Sequence, residues 1–299
     1  MAISTHDAAE DARNDDILIY VDGALKPKAE AVVSVYDSGF MLGDGVWEGL
    51  RLYQGRIPFL REHLDRLIEA ALFIDLDIGM DRAGLEAAIW QTLEANAMRT
   101  DVHLRVMVTR GRKRKPFQHP HLSVWGSTVV IIAEHSVPVE NPGGIKLASV
   151  PHHRGLPLTQ DAKLNSHSKL NCIIALTHAI RQGADEALML DPFGFVNTTN
   201  ACNFFIVRGG EVWTSTGEYC MAGITRAKVI EICRDLGIPI FEKNYSLLET
   251  YSADEAFLTG TFGAQTPVRE IDGRRIGDGT AGPVMQRIRA AYKAMVAKD

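Results

Sequence analysis

The eight residues Val137–Gly144, VPVENPGG, hold two prolines and two glycines. Proline lacks an amide hydrogen and locks φ, while glycine loses the restraint of a side chain, so no regular element runs through such a stretch. The break falls near the middle of 299 residues, a length that suits about two domains at roughly 150 residues each. It reads as a linker over 137–144, joining a smaller unit over 17–136 to a larger one over 145–299. The first sixteen residues carry five acids against one Arg and are expected to form a disordered acidic tail.

Composition narrows the function classes. Hydrophobic residues make up 46% and charged residues 23%, enough for a sizeable core. No apolar run reaches the roughly 18 residues that a membrane span needs, and the N-terminus lacks the basic start and apolar stretch of a signal peptide. Four cysteines without a CxxC pair make neither a disulfide framework nor a zinc site, which points to a reducing cytoplasm. The histidines show no metal-ligand spacing, so no metal is expected. A net charge of −5 argues against nucleic acid as a partner. The one basic run, Arg110–Lys115, reads as a solvated loop because no aromatic residues interleave with it.

Periodicity predicts strands at Ile17–Val21, Val32–Tyr36, Val102–Thr109 and Ser127–Ala133. Helices are expected over Arg61–Ile74 and Asp81–Ala95. Asp22-Gly23 marks a hairpin turn. This is an α+β pattern, with strands and helices in separate runs. Past the linker, strands are expected at Ile145–Val150, Glu186–Asp191, Phe204–Val207, Glu211–Thr214 and Glu255–Thr259. Helices are expected over Leu170–Gln182, Ile224–Asp235 and Gly282–Val296.

Four stretches suit an anion and a reactive amine. Gly223-Ile224-Thr225-Arg226 opens a helix with bare N–H groups and a hydroxyl, a setting for phosphate or simply a capped helix start. Thr259-Gly260-Thr261 ends an apolar strand and suits either phosphate or a turn. Arg66 either reaches inward as a bidentate phosphate ligand or pairs with Glu62 one helical turn away. Asp161–Asn171, DAKLNSHSKLN, holds Lys163 and Lys169 between a strand and a helix, where desolvation makes a lysine nucleophilic.

Taken in order, these stretches resemble the class IV (fold type IV) pyridoxal-phosphate aminotransferases, which include branched-chain and D-amino-acid enzymes. The resemblance spans about Ile17 to Val296. Its motifs are GDGVWEGLR at 43–51, EHLDRL at 62–67, GITR at 223–226, ADE at 253–255, TGT at 259–261 and TPVREIDG at 266–273. It implies a small N-terminal α+β domain, a larger C-terminal domain with a β-barrel-like core, pyridoxal 5′-phosphate between them, and a homodimer. The phosphate ligands would be Arg66, the backbone at Ile224 and Thr225, and Thr261. Counting back from Gly183, the Schiff-base lysine is taken as Lys163 with a two-residue insertion, and Lys169 is the second choice with a deletion of four. Thr198 stands where relatives carry the glutamate that keeps the pyridine nitrogen protonated.

Arg105 lies where branched-chain enzymes bind the substrate carboxylate, and Arg110 where D-amino-acid enzymes do. The implied activity is ping-pong transamination between an amino acid, branched-chain-like first, and a 2-oxo acid. The alternatives are a D-amino-acid or (R)-amine transaminase, an aminodeoxychorismate-lyase-like elimination, and a weakly catalytic cofactor-binding protein.

Overall fold

A computed structural model of the chain describes residue 5 and residues 8–138 and 143–299. Parts of the expected tail (1–4, 6 and 7) and of the expected linker (139–142) lie outside the described residues. The chain forms two compact units. One takes Ala8–Val137 together with Asn165–Lys169, and the other takes Pro138–Leu164 and Leu170–Asp299.

The smaller unit is a five-stranded antiparallel sheet with helices on one face. Its strands are β1 (Leu18–Val21), β2 (Ala24–Pro27), β3 (Gly45–Leu52), β4 (Val102–Thr109) and β5 (Thr128–His135), in the order β2-β1-β5-β4-β3. The β1–β2 turn places Asp22 at φ 48° and Gly23 at φ 88°, the paired positive values that the hairpin turn requires. The strands β3, β4 and β5 alternate between buried and less buried residues. Their inner face carries Val46, Leu50, Leu104, Val106 and Ile131, all fully buried. Helix α1 (Ser38–Leu42) precedes β3, while α2 (Leu60–Phe73) packs on β3 and α3 (Arg82–Ala95) on β5.

The strand expected over Val32–Tyr36 does not form. The Ser34 hydroxyl accepts from the Tyr36 N–H at 3.1 Å, and Asp37 N–H donates to Ser34 O at 2.9 Å. These bonds curl the backbone into a turn and leave Val32 and Val35 more than two-thirds exposed. Branched side chains favour a strand only where a face is buried. Conversely, β3 goes unread because Gly45 and Gly49 interrupt its visible alternation.

The larger unit holds β6 (Ile145–Ser149), β7 (Glu186–Leu190), β8 (Val196–Thr199), β9 (Asn203–Arg208), β10 (Glu211–Thr214), β11 (Ile240–Glu242), β12 (Glu255–Gly260), β13 (Ala264–Ile271) and β14 (Arg274–Arg275). The order β9-β12-β13-β6-β7-β8 returns to β9 through the Thr198–Asn203 pair, which closes a barrel. Leu147, Leu188, Phe204, Ile206, Leu258 and Val268 fill its apolar core. Helix α4 (Pro157–Gln160) is a single turn. Helix α5 (Leu170–Arg181) meets β6 and β7 through Ala175 and Ala179 against Ala148, Ala187 and Met189. Helices α6 (Ile224–Asp235), α7 (Leu247–Tyr251) and α8 (Pro283–Val296) complete the unit. The α+β architecture with its barrel core therefore matches the expectation. Among the described residues no helix is long and apolar enough to cross a membrane.

The start of α8 has no cap of its own, since Gly282 has no side chain and Pro283 no amide hydrogen. Buried Glu255 supplies the cap from β12, accepting the N–H groups of Val284 and Met285 at 2.9 Å each. Replacing Glu255 with Ala leaves both donors without that acceptor, at a cost of about 2–3 kcal/mol. Urea denaturation should show that loss, and a change below about 0.5 kcal/mol would mean that water caps the helix equally well.

Candidate active site

Each unit carries its own part of the expected chemistry. In the smaller unit, the two faces of β3 have different tasks. Glu48 points inward and is fully buried. Arg66 on α2 grips it in a fork, Nε to Oε1 at 2.7 Å and Nη2 to Oε2 at 2.8 Å, and His63 Nδ1 lies 2.8 Å from Oε2. His63 and Arg66 are three residues apart on one helix, so both face the same carboxylate. Burial alone would push Glu48 up, but Arg66 and His63 hold it below the usual glutamate range. Arg66 thus meets Glu48 on β3, a partner that the inward phase of the strand could have indicated.

The outer face of β3 carries Trp47. Residues 165–168 run along this strand end: Trp47 N–H donates to Asn165 O at 3.0 Å, and His167 N–H donates to Gly45 O at 2.9 Å. Ser168 Oγ also donates to Gly43 O at 3.1 Å. Close approach needs glycine at 43, where φ is +68° and a Cβ would stand 2.5 Å from Ser168 Oγ. The Trp47 indole N–H donates to Ser166 O at 3.2 Å. The Arg105 guanidinium lies 3.9 Å from the Trp47 ring centroid, and Lys169 Nζ lies 5.7 Å from the same centroid. Burial pushes the Arg105 value down, and no acid among the described residues pairs with it. Burial likewise lowers His167, whose Nε2 lies 3.2 Å from Val46 O.

Arg110 is placed differently. Its Nε and Nη2 donate to the Asp44 carboxylate at 2.8 and 3.1 Å, and Nη2 and Nη1 donate to the carbonyls of Ile74 and Asp75 at 2.7 and 2.8 Å. It thus ties the end of α2 to the turn before β3. The rest of the basic run folds around Lys113, whose buried ammonium donates to His119 O at 3.2 Å.

In the larger unit, the turn before α6 is built by Asn203, whose Nδ2 donates to Met221 O at 3.0 Å. A Cβ on Gly223 would stand 2.1 Å from Asn203 Oδ1, so only glycine fits. No side chain caps α6, which leaves the first-turn N–H groups at Ile224 and Thr225 to an anion at the positive end of the helix dipole. The cup suits a phosphate on its own geometry. Thr261 follows β12, where the buried Thr259 Oγ1 finds no partner. Thr198 is buried on β8, and its hydroxyl donates to Cys202 O at 2.7 Å. That bond uses its single proton. Lys163 sits exposed in a turn, its N–H donating to Asp161 Oδ1 at 2.9 Å. The structure thus groups Arg105, Lys169 and Trp47 in one unit, and groups Lys163, Thr198, Ile224, Thr225 and Thr261 in the other. Trp47 and Glu48 lie inside the 43–51 motif but, like Asn203, were given no individual role by the sequence; the structure places Trp47 against Arg105, Glu48 against Arg66 and Asn203 at the turn before α6.

The chain is similar to branched-chain-amino-acid aminotransferase-like protein 2 of Arabidopsis thaliana, at 40% identity over 283 residues and 94% of this chain. It spans about half (51%) of that relative's length. It is 28% identical over 287 residues to the D-alanine aminotransferase of Bacillus licheniformis, covering 94% of this chain and 98% of that one. A solved branched-chain amino acid aminotransferase from T.th. with pyridoxamine 5′-phosphate superposes at a TM-score of 0.89 and 31% identity, over 95% of each chain. The pattern of the class IV amino-transferases matches residues 45–271, and the chain belongs to that family.

Proposed function

We propose that the chain is a pyridoxal-phosphate-dependent aminotransferase that moves an amino group from an amino acid, branched-chain first, to a 2-oxo acid. The observation that carries this reading is the shared Trp47 ring. A desolvated guanidinium without an acid partner and a lysine ammonium stand over one indole. An amino-acid substrate needs a cation for its carboxylate and an amine near its Cα, which the segment Asp161–Asn171 offers as Lys163 or Lys169. The solved relative that holds pyridoxamine 5′-phosphate supports the cofactor, which when bound supplies the electron sink that transamination requires. The uncapped start of α6 with Thr225 and Thr261 holds the phosphate, and by its motif Arg66 is a further ligand.

Of the two lysines, Lys163 is the first candidate to carry the cofactor and to move the proton at the substrate Cα, because it lies in the same unit as Thr198, Ile224, Thr225 and Thr261 and its side chain is open to a ligand. Lys169, which shares a ring with Arg105, is the second candidate. For the carboxylate, Arg105 is the better candidate, because the donors of Arg110 already serve Asp44 and the end of α2. A D-amino-acid activity that relied on Arg110 would have to break those bonds. Thr198 offers a neutral oxygen where relatives place a carboxylate, so the cofactor's ring nitrogen is held as a cation less firmly.

The natural partner is a second copy of the chain, with the exposed side chains of Val32, Val35, Phe40 and Phe117 as apolar surface for it. The four free thiols suit a reducing cytoplasm.

Four outcomes test the reading. Borohydride reduction and peptide mapping should place the pyridoxyl label on Lys163, and Lys163→Ala should lose the visible cofactor absorbance that Lys169→Ala keeps. A label on Lys169 would reverse the assignment. Arg66→Ala should raise the cofactor Kd about tenfold or more, and Glu48→Gln should raise it by releasing the guanidinium. Because the Glu48 value is depressed, its stabilisation is full at neutral pH and is lost as pH falls through the acid range. The stability gap between the native chain and Glu48→Gln should therefore close on acidification. Finally, a panel of L- and D-amino acids and (R)-amines with pyruvate or 2-oxoglutarate should show that Arg105→Ala harms amino acids at least about tenfold more than carboxylate-free amines. Equal losses would make Arg105 structural.

A further inference from the structure

We infer that Trp47 is the positioning residue that sets where a substrate carboxylate docks relative to the lysine-bearing segment. The inference rests on the reading of Arg105 as the carboxylate site. Trp47 is held at both ends. Its backbone N–H donates to Asn165 O at 3.0 Å, and its indole N–H donates to Ser166 O at 3.2 Å. Its ring in turn locates the Arg105 guanidinium at 3.9 Å. One side chain therefore joins β3, the arginine of β4 and the residues that lead into Lys169.

Gly49 makes room for this stack. It lies two residues along β3, on the same face as Trp47, and pairs across to Arg105. A Cβ at position 49 would touch Trp47 Cζ3 at 3.5 Å and His103 Nε2 at 3.4 Å. An alanine there would sit in ordinary contact, whereas a branched side chain adds methyl groups beyond that contact, beside the ring and the imidazole.

The choice of an aromatic ring has a chemical reason. A carboxylate could hold the guanidinium equally well, but it would occupy one edge of the N–H fork and offset part of its charge. A ring attracts the cation through its π face and leaves the in-plane N–H groups available to a planar, bidentate anion. Arg105 is thereby oriented without a competitor for the substrate. The withdrawal of water that lowers its pKa also strengthens its attraction for a carboxylate.

The test uses the full chain loaded with pyridoxal phosphate, and 4-methylvalerate as a carboxylate probe whose Kd is read by calorimetry without turnover. Trp47→Leu should raise that Kd about tenfold and raise KM for the amino donor more than it lowers kcat. Trp47→Phe keeps a ring and should restore the probe affinity to within about threefold of the native chain. Gly49→Val, which crowds the ring, should weaken the probe as Trp47→Leu does and stands in for that variant if it fails to fold. Arg105→Ala is the control and should lose the same affinity. Native probe affinity in a folded Trp47→Leu or in Gly49→Val overturns the proposal. So does a Trp47→Phe as weak as Trp47→Leu, which would assign the effect to the Ser166 bond. If Arg105→Ala itself binds the probe normally, the carboxylate reading fails and takes the proposal with it. If only Arg105→Ala is weakened, that reading stands and the Trp47 proposal alone falls.

Discussion

Backbone hydrogen bonds between the start of β3 and residues 165–168 join parts of the chain about 120 residues apart. This short antiparallel stitch is the constraint on which the candidate chemistry depends. The stretch Asp161–Asn171 is polar and has no pattern that would order it alone. Once Asn165 O and His167 N–H are taken by β3, the path of the segment is set, and Lys169 emerges next to Trp47 rather than into water. Loop closure over such a distance is entropically costly, and the tight glycines at 43 and 45 make the contact close enough to hold.

The second dependence is electrostatic. A carboxylate buried inside the smaller unit would be strongly destabilising alone, because charge loses its hydration there. Glu48 is tolerated only because Arg66 meets it as a fork and His63 closes the remaining side. Removing one partner from such a group costs far more than the intact cluster contributes net. The same cluster holds the Arg66 side chain in one orientation, so a charge that looks like a stability device also aims a cation.

The barrel unit solves a different problem. A phosphate site needs bare N–H groups, which a folded protein normally caps. Gly223 supplies a helix start without a capping side chain, and the Asn203 amide, bonded to Met221 O, holds the turn in shape. Asn203 is also the strand partner of Thr198 through the β8–β9 pair that closes the barrel. Closure of the sheet and the shape of the turn before α6, the candidate anion cup, therefore share one residue.

Local features were legible from the residues in order. Asp22-Gly23 announced its hairpin because few dipeptides tolerate two positive φ values. The apolar spacing of α2 and α3 and the glycine before Ile224 announced their helices, since a helix face and a helix start are written within a few neighbouring residues. The six ordered motifs carried the family. Val32–Tyr36 misled because branched residues signal a strand only if the fold gives them a face to bury, and a serine hydroxyl turned the backbone first. What the tertiary structure alone decided is which charges meet. Arg66 finds Glu48 eighteen residues away, Arg110 is consumed by Asp44 and the end of α2, and Arg105 keeps its charge unopposed on Trp47. Propensity and periodicity act over one or two turns of chain. Charge pairing and desolvation depend on distances in space, and these exist only once the sheet has brought residue 47 beside residues 105 and 166.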